Sequence, residues 1–320
     1  MIIDVPTHDD FLTTGEDFVF LAADQLFKLL GDFEDIQDEE YIEDPQKAEE
    51  TYWSNAQRVM STSLALLHQG AELLLKGRIA AVSPYLLLFD RNWRADPKTN
   101  NVAFADLRSI DAIDLVRVHD QVSSTQLTAA FAKLFEDMRR LRNSFAHGVQ
   151  TRRTLTASKL LIECLAVHEE FFGPRQWNRT RRAYLEERTP LSIVPDEYGW
   201  STAQVVRELS LLTEMLVSTP ADSRRFIGFD RKDRRFECVD CAPCARRFDI
   251  DFDTLVLSRD KQKAVCVVCG KETAVSFKNC SECGCKHATA DEEGRLWCLR
   301  CDAEHRLRSR RAGVKSISLQ

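Results

Sequence analysis

The chain has 320 residues, of which 44% are apolar and 29% charged, with a net charge of −6. That leaves room for two or three domains with real cores, and so balanced a composition excludes a fibrous or wholly disordered protein. No basic and then apolar leader opens the sequence, and no window nears about 18 uninterrupted apolar residues, so the expectation is a cytoplasmic protein without a signal peptide or membrane span.

Charge is unevenly spread. Residues 1–50 carry sixteen Asp/Glu against two Lys, a balance of −14, which leaves +8 for the remainder. An acidic head on a basic body suits a nucleic-acid-binding protein. The first 45 residues read as an acidic arm with one helix near Glu16–Leu30, its stripe formed by Phe18, Leu21, Leu26, Leu29 and Leu30. Pro45–Val82 is strongly helical, with Gly70 and Gly77 marking either close packing or a break. A looser helical stretch covers Asn100–Val122. Ser124–Phe145 follows, with Leu127, Phe131, Leu134, Phe135, Met138 and Leu141 at helical spacing. Leu155–Phe172 carries Leu160, Leu161, Cys164, Leu165, Val167 and His168 near one face, and Gly173-Pro174 stops it. Four or five antiparallel helices would bury such stripes as a bundle. Residues 173–200 hold three prolines and read as a connector. Ser201 and Gln204 then form a capping box for a helix reaching Leu216. The expected divisions are an arm over 1–45, a bundle over 46–172, a connector with one helix over 173–235, a cysteine-rich module over 236–305 and a basic tail over 306–320.

Ten of the eleven cysteines lie between Cys238 and Cys301. Without an export signal, metal is favoured over disulfides. A tetrahedral site needs two thiolate pairs, each on a tight CxxC turn. Cys266 and Cys269 form one pair. Its partner is Cys241 with Cys244, preferred because Phe248 then falls four residues on and can pack behind the knuckle; the alternative is Cys238 with Cys241. The second site pairs Cys280 and Cys283 with Cys298 and Cys301, and Trp297 stands ready to cover it. Two structural Zn²⁺ per chain are expected in two ribbons, with no open coordination position and hence no catalytic metal. Cys238, Cys285, His287 and His305 are left over. Arg224, Arg225, Arg231, Lys232, Arg234, Arg235, Arg246 and Arg247 surround the module, and Arg306 to Lys315 follow it without an acid, so clustered guanidiniums can engage phosphates.

One helix ends in a polar run, Arg142-Asn143-Ser144-Phe145-Ala146-His147-Gly148. Cleaving RNA without a metal requires proton transfer, which His performs near neutral pH, and a cation for the crowded phosphorane, which Arg supplies. One His serves poorly as both base and acid, so two copies facing across a dimer would complete a site. The run resembles the R-x4-6-H signature of HEPN-domain ribonucleases, and the upstream stretch His68-Gln69-Gly70-Ala71-Glu72-Leu73-Leu74-Leu75-Lys76 is similar to a core helix of that family. The resemblance spans about residues 46–172. It implies a mainly α, up-and-down bundle that dimerises through the motif face and cuts RNA to a 2′,3′-cyclic phosphate, often as a toxin or antiphage effector. On that match Arg142 holds the phosphate, His147 is the acid/base, Asn143 is the polar second residue, and Glu72 is a weaker candidate for an upstream acid. The partners implied are RNA, a second copy, and a protein trigger or inhibitor. The rival readings are a non-catalytic zinc-ribbon adaptor with a helical dimerisation domain and, more weakly, a DNA-binding regulator. His68 and His168 read as satisfied core groups, Lys76 and Arg78 as a solvated face, and Arg179, Arg181 and Arg182 as either an RNA path or a solvated connector.

Overall fold

The computed structural model describes residues 1–37, 42–89, 98–147, 154–193, 196–290, 295–301 and 303–305; the side chains of Gln37, Ala146, His147, Glu304 and His305 lie outside the description, as does the basic tail. The described chain is mainly helical, with a cysteine-rich C-terminal region of short strands. It divides into two compact units, residues 1–196 with 208–231, and residues 197–207 with 232–320.

In the first unit α1 (His8–Gln37) and α2 (Pro45–Val82) form a long antiparallel pair. Asp44 caps α2 by accepting from the Lys47 amide at 3.1 Å, and Pro45 occupies the first turn, where no amide hydrogen is needed. Gly70 and Gly77 do not break α2. They let α1 approach it: a Cβ on Gly70 would lie 2.8 Å from the Gly15 carbonyl oxygen and 2.9 Å from Val19 Cγ2, and one on Gly77 would meet Leu12. Ser63 donates to Gln25 at 2.9 Å and Tyr52 to the Leu29 carbonyl at 2.7 Å farther along the same seam.

The expected boundary at residue 45 separates nothing, because α1 is the first helix of the bundle. Its core stripe is Gly15, Glu16, Val19, Phe20, Ala22, Ala23, Leu26 and Phe27, while Leu21 is 43% exposed. Weighting large apolar residues rotates the stripe, because small residues make the closest contacts. α3 (Ala112–Val122), α4 (Ala129–His147) and α5 (Ala157–Phe172) complete the packing around α2, and α5 buries the face expected of it. Gly173, at φ 91°, ends α5 in a conformation that side chains disfavour.

The connector holds a full helix, α6 (Trp177–Glu187). It buries Trp177, Arg181, Tyr184 and Leu185, a helical stripe containing an arginine, which hid it from an apolar pattern. Arg181 is 1% exposed and is held by Glu208 (2.8 Å) and Asp24, so it lies on no RNA path. Beside it Glu16 meets Arg188 and His168, and Thr180 reaches His168 Nε2 at 2.8 Å. α7 (Trp200–Met215) and α8 (Pro220–Phe226) follow.

The second unit carries two antiparallel four-stranded sheets. The first runs β3 (Arg235–Phe236), β4 (Leu255–Leu257), β5 (Lys263–Cys266), β6 (Glu272–Ala274), with α9 (Cys241–Arg246) inserted after β3. The second runs β10 (Glu304–His305), β9 (Leu296–Cys298), β8 (His287–Ala290), β7 (Ser276–Phe277). Strands β1 (Ile2–Ile3) and β2 (Val102–Ala103) make a short parallel pair in the first unit. No helix among the described residues is long and apolar enough to cross a membrane.

The Gly15–Gly70 contact yields a stability prediction. Alanine is worth about 1 kcal/mol over glycine in a helix, but overpacking a tight seam costs about 1–3 kcal/mol. Because the clash at Gly70 is with backbone, Gly70→Ala should lower the unfolding free energy by about 1–2 kcal/mol in urea titration. An unchanged or raised midpoint would show that the helices do not touch there.

Candidate functional site

Two features can carry chemistry: the polar face shared by α2 and α4, and the cysteine groups.

α4 starts at a fixed point. Thr128 accepts from the Phe131 amide at 3.1 Å, while its own amide and hydroxyl donate to Glu170 at 3.1 and 2.7 Å. From there Phe131, Phe135 and Met138 face inward. Arg139 and Arg142, four and seven residues beyond Phe135, continue that face. Opposite, α2 presents His68, Glu72 and Lys76 at four-residue spacing. The His68 ring stacks on Phe135 with centroids 5.1 Å apart and planes 17° apart. Arg142 donates to the Asn143 carboxamide oxygen at 3.0 Å. Glu72 pairs with Lys76 at 2.7 Å, their side chains only 14% and 12% exposed. Lys76 therefore lies in the packed seam, not on a solvated face, and Arg78 likewise donates to the Glu170 carbonyl and sits 4.4 Å over the Phe171 ring.

His68 is not the satisfied core group its sequence suggested. It is fully buried, and neither ring nitrogen has a hydrogen-bond partner among the described residues. Burial, then the Arg142 and Arg139 guanidiniums, push its pKa down to about 4 against the opposing pull of Glu72. A neutral, unsatisfied imidazole beside an arginine is costly in a core, and such groups cluster at functional sites. Glu136, across the same turn, takes Arg139 (2.8 and 2.9 Å) and Arg140 (2.6 Å), and these bonds, from Arg139 first, pull its carboxyl down to about 2. Thus Arg142 and Asn143 are in contact, and Glu72 lies near His68 but makes no hydrogen bond or ion pair with Arg142 among the described residues. The backbone of His147 closes α4; its side chain lies outside the described residues, as does Gly148.

The cysteines form two groups of four: Cys238, Cys241, Cys266 and Cys269, and Cys280, Cys283, Cys298 and Cys301. Within each, all sulfurs lie within 4.8 Å of one another. The cross-pairs are Cys238–Cys269 and Cys241–Cys266 at 3.7 Å, and Cys280–Cys301 and Cys283–Cys298 at 3.6 Å. A tetrahedron with metal–sulfur bonds of about 2.3 Å has edges of about 3.8 Å, so both groups fit a four-thiolate metal ion. Gly270 and Gly284, at φ 75° and 70°, let the chain turn back after Cys269 and Cys283.

The first group corrects the preferred assignment: Cys238 replaces Cys244. α9 begins at Cys241 and carries Cys244 one turn along itself, onto the Asp240 carbonyl at 3.4 Å and against Gly199. Phe248, whose position argued for Cys244, is 47% exposed. Cys285 is buried next to the second group but outside it, its sulfur 3.8 Å from the His287 carbonyl, and Arg234 donates to His287 Nδ1 at 3.3 Å. No family model, curated protein or solved structure matches the chain.

Two outcomes follow. Metal analysis of protein purified without chelator should give two ions per chain, falling to one in Cys238→Ser and staying at two in Cys244→Ser; the opposite pattern would restore Cys244 as the ligand. For His68, the folded pKa lies below the unfolded value of 6.5. Between pH 6.5 and 4 the unfolded chain binds a proton that the folded chain refuses, so stability falls as pH drops through that window, by up to about 3 kcal/mol. His68→Phe, which keeps the stack, should lose this component of acid destabilisation; an identical acid slope in both proteins would contradict the buried neutral imidazole.

Proposed function

We propose that the chain is a metal-independent endoribonuclease whose site lies at the C-terminal end of α4 and is completed by a second copy. The observation that carries this reading is the Arg142–Asn143 pair set beside the neutral His68 on the face where α2 and α4 meet, in the helix that His147 closes. Arg142, oriented by Asn143, neutralises charge on the phosphorane. His147 takes the proton of the RNA 2′-hydroxyl as its oxygen attacks phosphorus, and His147 of the second copy gives a proton to the departing 5′-oxygen. The products are a 2′,3′-cyclic phosphate and a 5′-hydroxyl. Glu72, held by Lys76, tunes the field around His68 and takes no proton from substrate.

The two cysteine groups are read as structural zinc sites. Four thiolates leave no place for a metal-bound water, so zinc holds the ribbons in shape while the chain's own side chains do the chemistry. The ribbons recognise RNA or a protein trigger, and a role in toxicity or antiphage defence in the cytoplasm fits an enzyme needing such a trigger. The closed cysteine groups equally favour the second reading, a non-catalytic adaptor that binds nucleic acid or protein through its ribbons and dimerises through its helices.

Purified protein incubated briefly with total RNA in EDTA should cleave it. His147→Ala and Arg142→Ala should each lose about 10²-fold or more in rate while keeping the helical circular dichroism of the parent. Folded variants that cut as fast as the parent would make the motif a helix terminus only, and the adaptor the better reading.

A further inference from the structure

The C-terminal unit contains an open cleft of about 720 Å³ between its two cysteine groups. One wall is built from β3 and the segment before β4, and includes Glu237, Asp251, Phe252 and Asp253. The other is built from the two turns of the second group, Cys283 to Lys286 and Leu299-Arg300. Several wall groups are already engaged. The Arg235 guanidinium lies 4.6 Å over the Phe252 ring, Arg234 is on His287, and Glu237 pairs with Arg246. Lys286 and Arg300 are exposed and form no salt bridge among the described residues, although Arg300 acts on Asp253 across the gap. The cleft thus offers exposed cations on one wall and, on the other, carboxylates beside an aromatic–guanidinium stack.

A ligand that satisfies both walls carries an anion at one end and hydrogen-bond donors at the other, on a flat body. A nucleotide has that form: phosphate suits Lys and Arg, and bases stack on aromatic and guanidinium planes. The base can be narrowed by the carboxylate, which only accepts. Guanine presents two adjacent donors, N1–H and N2–H, to both oxygens at once. Adenine and cytosine place a ring acceptor beside their amino group, and uracil flanks its single N3–H with two carbonyls. We propose that this cleft binds a guanine nucleotide of single-stranded RNA, its phosphate against Lys286 and Arg300 and its donor edge against Asp253. Burial, and then Glu237 and Asp251, already push the Asp253 carboxyl up against the pull of Arg235 and Arg300, so paired donors relieve a poorly solvated charge. The inference rests on the reading of the chain as RNA-directed and adds the base that is selected.

The test uses the full, metal-loaded chain and fluorescein-labelled hexanucleotides UUGUUU and UUAUUU, 2′-O-methylated throughout so that no 2′-hydroxyl attack can cut them. Anisotropy should show the guanine oligonucleotide bound about tenfold more tightly. Lys286→Ala with Arg300→Ala should weaken both about tenfold or more, and Asp253→Asn should bring the two within about twofold. Metal content of each variant reports its fold, and the exposed Lys286 and Arg300 keep the test valid should Asp253→Asn misfold. Equal binding of the two oligonucleotides by the parent, or parent-like binding by the double variant, overturns the proposal. Capture of a mixed-charge peptide with no oligonucleotide binding overturns it too, and assigns the cleft to a protein. Guanine-selective binding without cleavage of unmodified RNA would sink the nuclease reading alone; cleavage without guanine selectivity would sink the cleft alone.

Discussion

The close approach of α1 and α2 through Gly15, Gly70 and Gly77 is the constraint on which the helical unit depends. Where no side chain intervenes, the backbones meet, and a Cβ at Gly70 would stand 2.8 Å from the Gly15 carbonyl. That contact dedicates one face of α2 to α1. The face carrying His68, Glu72 and Lys76 is left for α4, and its ring stack on Phe135 brings His68 toward Arg142. A seam made for packing thereby positions a polar group that packing alone does not need.

The acidic N-terminal segment makes sense in the same frame. Glu16 and Asp17 meet Arg188, and Asp24 meets Arg181, which Glu208 also holds. Three of the acids that suggested an acidic arm are thus spent on pairs inside the unit. Breaking a buried pair by removing one partner is far more disruptive than its net stabilisation suggests, so these pairs fix which helices associate more than they raise stability. His168 is buried, hydrogen-bonded by Thr180 and beside Glu16, and the contrast with His68, which has no hydrogen-bond partner among the described residues, singles out the latter.

What was legible in the sequence had a simple periodicity or spacing. The long apolar runs of α2, α4 and α5 appear near their expected limits, as do the second cysteine group and the Cys266–Cys269 pair. What was hidden involved exceptions to apolar patterning. α6 has an arginine in its buried stripe, and the close approach of α1 to α2 is at glycines. Lys76 looked like surface because its carboxylate partner is one turn earlier on the same helix. The choice between Cys238 and Cys244 depends on where α9 begins, and CxxC spacing is identical on both sides of Cys241. His68 could not be told from an ordinary core histidine, since the sequence records no absence of a partner.

In the proposal above, the helical unit supplies the chemistry at the end of α4 and the cysteine-rich unit would grip the strand. Its central claim is the chemistry at α4, which leaves a signature on the product independent of any variant. Mass spectrometry of the ends produced from a defined RNA tests it most directly. The account predicts 2′,3′-cyclic phosphate and 5′-hydroxyl ends from the parent in EDTA, and no cut where a single 2′-O-methyl group precedes the scissile bond. Intact RNA, or 3′-hydroxyl and 5′-phosphate ends made by an activated water, would contradict it.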